Sequence, residues 1–288
     1  MSDAEINLKH FCFDLHMISK LTSKDRCLMI APLTPEISTK TGACRLGVMA
    51  TMVDVAGSDP VLATWNPDWA ATQDLSVHSA QPLTEGPIVV DARLLREGKK
   101  INFISATLYD GQGITDLDAL QAAIDTPTKT SNAPIFAAQS LTTFTRIPRT
   151  AATGVDSYDP NQWIGKVRTR DSGESNRLPL DERIGLQILD SEAGITELSN
   201  NPYIANSIGT INGGVQATML ESAAVAMRPH LCVADIQIHF LSQLKVGPAR
   251  TQGIVIRDAQ DHSVVIIKLM DAGADNKLLA TATITLQK

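Results

Sequence analysis

Two stretches of the chain run almost free of polar interruption. Residues 47–57 and 214–227 are rich in Gly, Ala, Met, Val and Leu and carry one carboxylate each, Asp54 and Glu221. They are too long and too alanine-rich for strands, and the pattern predicts a largely buried helix in each. Each is followed by shorter blocks rich in Val, Ile, Leu, Phe and Thr, separated by Gly or Pro. These predict strands over 72–79, 88–95, 101–109 and 136–144, and again over 234–241, 250–257, 263–270 and 277–286. A buried helix followed by an antiparallel meander of four strands, with a strand or two ahead of it, is an α+β pattern, and it occurs twice.

The two occurrences are related in sequence. Gly47-Val-Met-Ala-Thr-Met-Val-Asp54 lies over Gly214-Val-Gln-Ala-Thr-Met-Leu-Glu221 at an offset of 167, and Asp74-Leu-Ser-Val-His78 lies over Asp235-Ile-Gln-Ile-His239 at an offset of 161. The second register holds through Gly86-Pro87 over Gly247-Pro248 to Asp110 over Asp271. From Ile135 onward the offset is 143, which places an 18-residue insertion of the first copy within 111–134. Two copies imply a duplicated domain rather than a solenoid. The expected division is 1–145 and 177–288, joined over 146–176, with the polar run 161–176 as the natural linker.

Composition narrows the class. With 288 residues, 43% hydrophobic and 19% charged, the chain can bury a sizeable core and should be soluble and globular. Its 25 basic and 31 acidic residues give a net charge of −6, which lacks the basic excess of a nucleic-acid binder. Charges within the first twenty residues exclude a signal-peptide layout. The longest apolar runs fall short of a bilayer span, so no membrane partner is expected. Cys12, Cys27, Cys44 and Cys232 show no CxxC pairing and read as buried thiols in a reducing cytoplasm.

The candidate chemistry sits where the second helix begins. Asn212 is an N-cap residue, and Gly213 offers an unobstructed backbone N–H in a helix first turn, where a developing oxyanion would be stabilised. The plainer reading is a capped helix. Glu221, two turns on, is an acid in an apolar helix where burial alone is costly. Residues eight apart lie about 80° apart around a helix, so its carboxylate and the Gly213 N–H can face one cleft. A buried structural carboxylate held by backbone donors is the alternative.

On these residues both halves resemble hotdog-fold domains, in which a curved antiparallel sheet wraps a central helix. The likeness is to the phenylacetyl-CoA thioesterase-like branch of the hotdog acyl-CoA thioesterases, carried by Asn212-Gly213-Gly214, Leu220-Glu221-Ser222-Ala223 and Thr72-Gln-Asp-Leu-Ser-Val77. The resemblance implies an acyl-CoA thioesterase with no cofactor, in which Glu221 is the acid, Gly213 the oxyanion donor, Asn206 an upstream amide and Thr72 a hydroxyl from the facing half. The reciprocal site would use Asp54, with Leu46, Thr39 and Val233 departing from the pattern and Arg45 where the family often has His. It reads as degenerate, leaving one working site per chain. Arg45 opposes the local helix dipole, so its presence there calls for a partner such as Asp54 or a ligand phosphate. The basic loop with Arg96, Lys99 and Lys100 joins two strands where family members contact CoA phosphates; a solvated turn is the alternative.

Other chemistries find less support. There is no Gly-x-Ser-x-Gly elbow, no complete dinucleotide loop and no spaced set of metal ligands; His78 and His239 read as hydrogen-bonded sheet residues. A non-catalytic acyl-CoA or acyl-chain binding protein is the competing class. Capture of Glu221 in a salt bridge would favour it. Dimers of such chains are a reasonable expectation.

Overall fold

The computed structural model describes residues 10–127, 133–149, 158–173 and 177–288. Its first half contributes β1 (Met17–Ser23), β2 (Arg26–Ala31), α1 (Leu46–Trp65), β3 (Trp69–Ser79), β4 (Ile88–Arg96), β5 (Ile101–Asp110), α2 (Leu117–Asp125) and β6 (Ile135–Ile147). After β7 (Val167–Arg170) come α3 (Leu180–Ile184), β8 (Gln187–Asp190), β9 (Ile195–Leu198), α4 (Gly213–Met227), β10 (Cys232–Phe240), β11 (Ala249–Asp258), β12 (His262–Asp271) and β13 (Lys277–Gln287). All thirteen strands form one sheet in the order β7-β1-β2-β4-β5-β6-β3-β10-β13-β12-β11-β9-β8. Outward from the centre each half repeats the same sequence of strands. The halves join where β3 pairs with β10, Val77 opposite Ile236 and Leu75 opposite Ile238.

Within each half the four long strands are not a simple meander. The fourth, β6 or β13, lies between the first and third, and β3 pairs with β6 rather than β4. The connection after β3 leaves the sheet and meets the segment just ahead of α1, where the Cys44 N–H donates to the Leu83 carbonyl at 2.8 Å. The chain re-enters the sheet three strands away. At the end of that connection Asp110 accepts from the N–H groups of Thr84, Glu85 and Gly86. At the matching place Asp271 accepts from Lys245, Val246 and Gly247.

Both central helices are buried nearly all round, which explains why neither shows an amphipathic stripe. α1 runs eight residues past the expected 47–57, continuing through Pro60 to Trp65. Its length and apolar composition would suffice to cross a membrane, but it is packed inside the sheet. The insertion in the first half supplies α2, whose Leu117 and Leu120 cover Leu28, Ile30 and Val89 on the outer face of the sheet. The polar run 161–176 is more than a linker, because β7 pairs with β1, and Arg170 is buried against Asp59 of α1 and Ser19 of β1. Three cysteines are buried as expected, whereas Cys232 is exposed at the start of β10.

Candidate active site

The two helices cross in close contact because each offers a glycine at the crossing. A Cβ on Gly47 would lie 2.8 Å from the Cα of Thr218, and one on Gly214 would lie 2.1 Å from the Thr51 hydroxyl oxygen. These two contacts are equivalent under the 167-residue offset. This crossing brings the acid of each helix to the start of the other. Glu221 therefore faces the start of α1, and Asp54 faces the start of α4.

This overturns the expected grouping. Glu221 does not share a cleft with Gly213. Its Oε1 accepts from the Leu46 N–H at 2.8 Å and its Oε2 from the Gly47 N–H at 3.1 Å. The Arg45 Nε donates to the same Oε2 at 3.1 Å, while the rest of that guanidinium binds Asp181 at 2.9 Å and the Ser222 hydroxyl at 2.7 Å. Glu221 is 2% exposed. Burial opposes the Arg45 charge, but the Glu221 and Asp181 carboxylates outweigh it and raise the pKa of the guanidinium. The partner of Arg45 is thus Glu221 with Asp181, not Asp54. Glu221 is the buried structural carboxylate held by backbone donors, and no substrate can reach it while this network stands.

The other end of the crossing is open. A cavity of about 470 Å³ is lined by Asp54, Thr72, Asn206, Asn212 and Gly213, with apolar walls from both halves. The Thr72 hydroxyl donates to Asp54 Oδ1. A Cβ on Gly213 would lie 3.2 Å from Asp54 Oδ2, so the carboxylate and the first turn of α4 bound the same space. Asn212 is the N-cap, its Oδ1 accepting from the Gly214 N–H at 2.8 Å. That leaves the Gly213 N–H without an acceptor among the described residues. Asn206 turns its Oδ1 into its own loop, accepting from the N–H groups of Ile208 and Thr210, which leaves its Nδ2 available to donate into the cavity.

Burial pushes the Asp54 carboxyl up to about 6, with the Thr72 hydrogen bond pulling in the opposite direction. A carboxylate in that range is ionised at neutral pH yet basic enough to take a proton. Beside it are one backbone and one side-chain N–H donor. The arrangement can hold a carbonyl oxygen against donors and a water against a base.

Asn206, Gly213 and Thr72 are thus brought together as expected, around Asp54 instead of Glu221. Asp54 and Thr72 come from the first half; Asn206, Asn212 and Gly213 come from the second. Arg96, Lys99 and Lys100 do not line the cavity. They belong to the β4–β5 turn, where Arg96 lies over the Phe103 ring and the Gly98 carbonyl accepts from the Trp65 indole N–H at the far end of α1. His78 and His239 pair with Asp235 and Asp74 across the joint between the halves. In the sequence, the sign that Glu221 is captured was Arg45, a cation beside a helix start in need of an anion.

No family model matches the chain. A provisionally named esterase of Saccharolobus solfataricus is 34% identical over 65 residues, which are 23% of this chain and 43% of that protein. A second from the same organism is 22% identical over 90 residues, 31% of this chain and 64% of that protein. The matches thus span less than two thirds of the length of either relative. Among solved structures, the TesB protein of Mycobacterium avium subs paratuberculosis superposes with a TM-score of 0.55 at 10% identity, covering 93% of this chain and 94% of that one. The 12:0-ACP thioesterase from Umbellularia californica gives 0.56 at 9% identity, covering 91% and 94%. A hot dog fold protein from Alicyclobacillus acidocaldarius gives 0.52 at 12% identity, covering 91% and 92%. The chain is a tandem hotdog protein that shares its fold with these three structures along nearly its whole length.

Proposed function

We propose that this protein hydrolyses acyl thioesters, with coenzyme A as the carrier thiol, at one site per chain centred on Asp54. The observation that carries this reading is the convergence of Asp54, Thr72, Asn206 and the Gly213 N–H on a single open cavity. The thioester carbonyl oxygen lies against the Gly213 N–H, with the Asn206 amide nearby. Asp54 takes a proton from a water whose oxygen forms the new bond to the carbonyl carbon. Negative charge then gathers on the carbonyl oxygen, where the donors are already in place. When the tetrahedral intermediate collapses, the carbon–sulfur bond breaks and the thiolate leaves with the proton that Asp54 took. Thr72 holds the carboxylate in position through the bond to Oδ1.

A non-catalytic acyl-binding role is the second reading, and the capture of Glu221 is the observation that favours it. That capture disables only the half-site at the start of α1. The test is release of free thiol from acetyl-, octanoyl-, palmitoyl- and phenylacetyl-CoA by the parent, Asp54→Asn and Glu221→Gln. Turnover by the parent, lost in Asp54→Asn and kept in Glu221→Gln, supports hydrolysis at Asp54. Binding of acyl-CoA without turnover supports the second reading.

A further inference from the structure

We infer that the arm of the cavity running along α1 away from Asp54 selects an aliphatic acyl chain of about eight to ten carbons; this rests on the hydrolase reading and names its substrate class. The cavity lining includes Asp54, Val55, Ser58 and Leu62 of α1, which mark out this arm, together with Ala70 and Thr72 of β3 and Phe144 of β6. From Asp54 to Leu62 the helix advances about 12 Å at 1.5 Å per residue. An extended alkyl chain advances about 1.25 Å per carbon for C–C bonds near 1.5 Å, so the arm accommodates roughly nine to ten carbons.

The chemistry of the wall agrees with the length. Among the described residues no lysine or arginine lines the cavity, and the lining His10 has both ring nitrogens engaged by backbone, Nδ1 accepting from the Cys12 N–H and Nε2 donating to the Ala205 carbonyl, so an acyl group bearing a second carboxylate finds no free cation there. Ser58, the polar residue midway along the helix, spends its hydroxyl on the Val55 carbonyl at 2.8 Å and offers no donor to a ligand. Phe144 packs against the helix because residue 57 is glycine; a Cβ there would lie 3.3 Å from the ring. Ala70 on β3 is small where a larger side chain would intrude. Each methylene buried along such a wall is worth about fourfold in binding, from about 0.8 kcal/mol per group.

The test is kcat/KM for saturated acyl-CoAs from two to sixteen carbons, with the parent, Ala70→Leu and Leu62→Ala. The expected profile climbs by up to about fourfold per methylene, peaks at eight to ten carbons and then falls. Ala70→Leu is expected to lower the decanoyl-to-butyryl ratio at least tenfold, and Leu62→Ala to move the peak to longer chains. A peak at six carbons or fewer, or at twelve or more, overturns the inference. So does a ratio that neither substitution moves. If the parent hydrolyses none of the panel, the hydrolase reading fails, and calorimetry with free decanoate decides the arm by itself. Binding that Ala70→Leu abolishes supports it, and absence of binding overturns it.

Discussion

The Glu221 carboxylate and the Leu46 N–H meet across the two halves at 2.8 Å, so one end of the helix crossing is sealed by the protein itself. Asp54 stands at the equivalent place, one methylene shorter, and leaves the Gly213 N–H unbonded among the described residues. That difference in reach separates a plugged site from an open one. Replacing Asp54 with Glu should let the carboxylate cap the start of α4 as Glu221 caps α1. The expected outcome is at least a hundredfold loss of kcat with a melting temperature equal to or above that of the parent, followed by thiol release and calorimetry. Near-parental turnover in Asp54→Glu would show that reach does not keep the site open.

Removing the sealed carboxylate has a different consequence. Glu221→Ala leaves the buried Arg45 with Asp181 as its carboxylate partner and strips an acceptor from two backbone N–H groups. Breaking one side of a buried ion pair costs about 3–5 kcal/mol. Denaturant titration should show a loss of that order, while the turnover of the remaining folded protein stays within about threefold of the parent because Glu221 does not line the cavity. A hundredfold drop in kcat for the folded fraction would reinstate Glu221 as the working acid.

Which parts of this were legible in the sequence follows from what each feature depends on. The helices and strands were readable because their period and composition are local, and the repeat of Gly47–Asp54 in Gly214–Glu221 exposed the twofold plan. The placement of β3 beside β6 was not readable, because it depends on where the long connection after β3 returns to the sheet. Asn206, Thr72 and Gly213, singled out by type, do line one cavity. The expectation that Glu221 shares a cleft with Gly213 failed because the face of a helix that a carboxylate occupies says nothing about which neighbouring helix it meets. Only the crossing fixed by Gly47 and Gly214 settles that Asp54 meets Gly213.

The titration of Asp54 gives a prediction with a definite sign. Its carboxyl is raised to about 6 in the folded chain, so the base form, and with it kcat/KM, should rise through pH 6 and level off above about pH 7. Thr72→Ala removes the bond that draws this value down, so the rising limb should move to higher pH. Stability runs the other way. Between the ordinary aspartate range and about pH 6 the folded state binds more protons than the unfolded, so this group's contribution declines as pH rises through that window. Asp54→Asn should abolish that slope in chemical denaturation and also abolish the activity limb. A limb unchanged by Thr72→Ala would detach Thr72 from Asp54.

Asp271 carries the opposite sign. It is fully buried at the end of β12, and burial alone would raise its pKa, but the N–H groups of Val246, Lys245 and Gly247 hold the charged form and lower it. A carboxylate depressed in the folded state stabilises the fold at neutral pH and loses that contribution as acid protonates it. Asp271→Asn keeps the shape but can accept with one oxygen only, and it places an amide donor against backbone N–H groups. The expected cost is about 2–4 kcal/mol at pH 7, from charge-assisted bonds worth about 1.5–3 kcal/mol each with part of the set retained. Denaturation at pH 7 and pH 3 should show the gap between Asp271→Asn and the parent narrowing in acid. Because the second-half turn it holds, residues 245–248, lies outside the cavity lining, kcat of the folded variant should change far less than its stability. An equal stability loss at both pH values would mean that packing, not charge, is what Asp271 contributes.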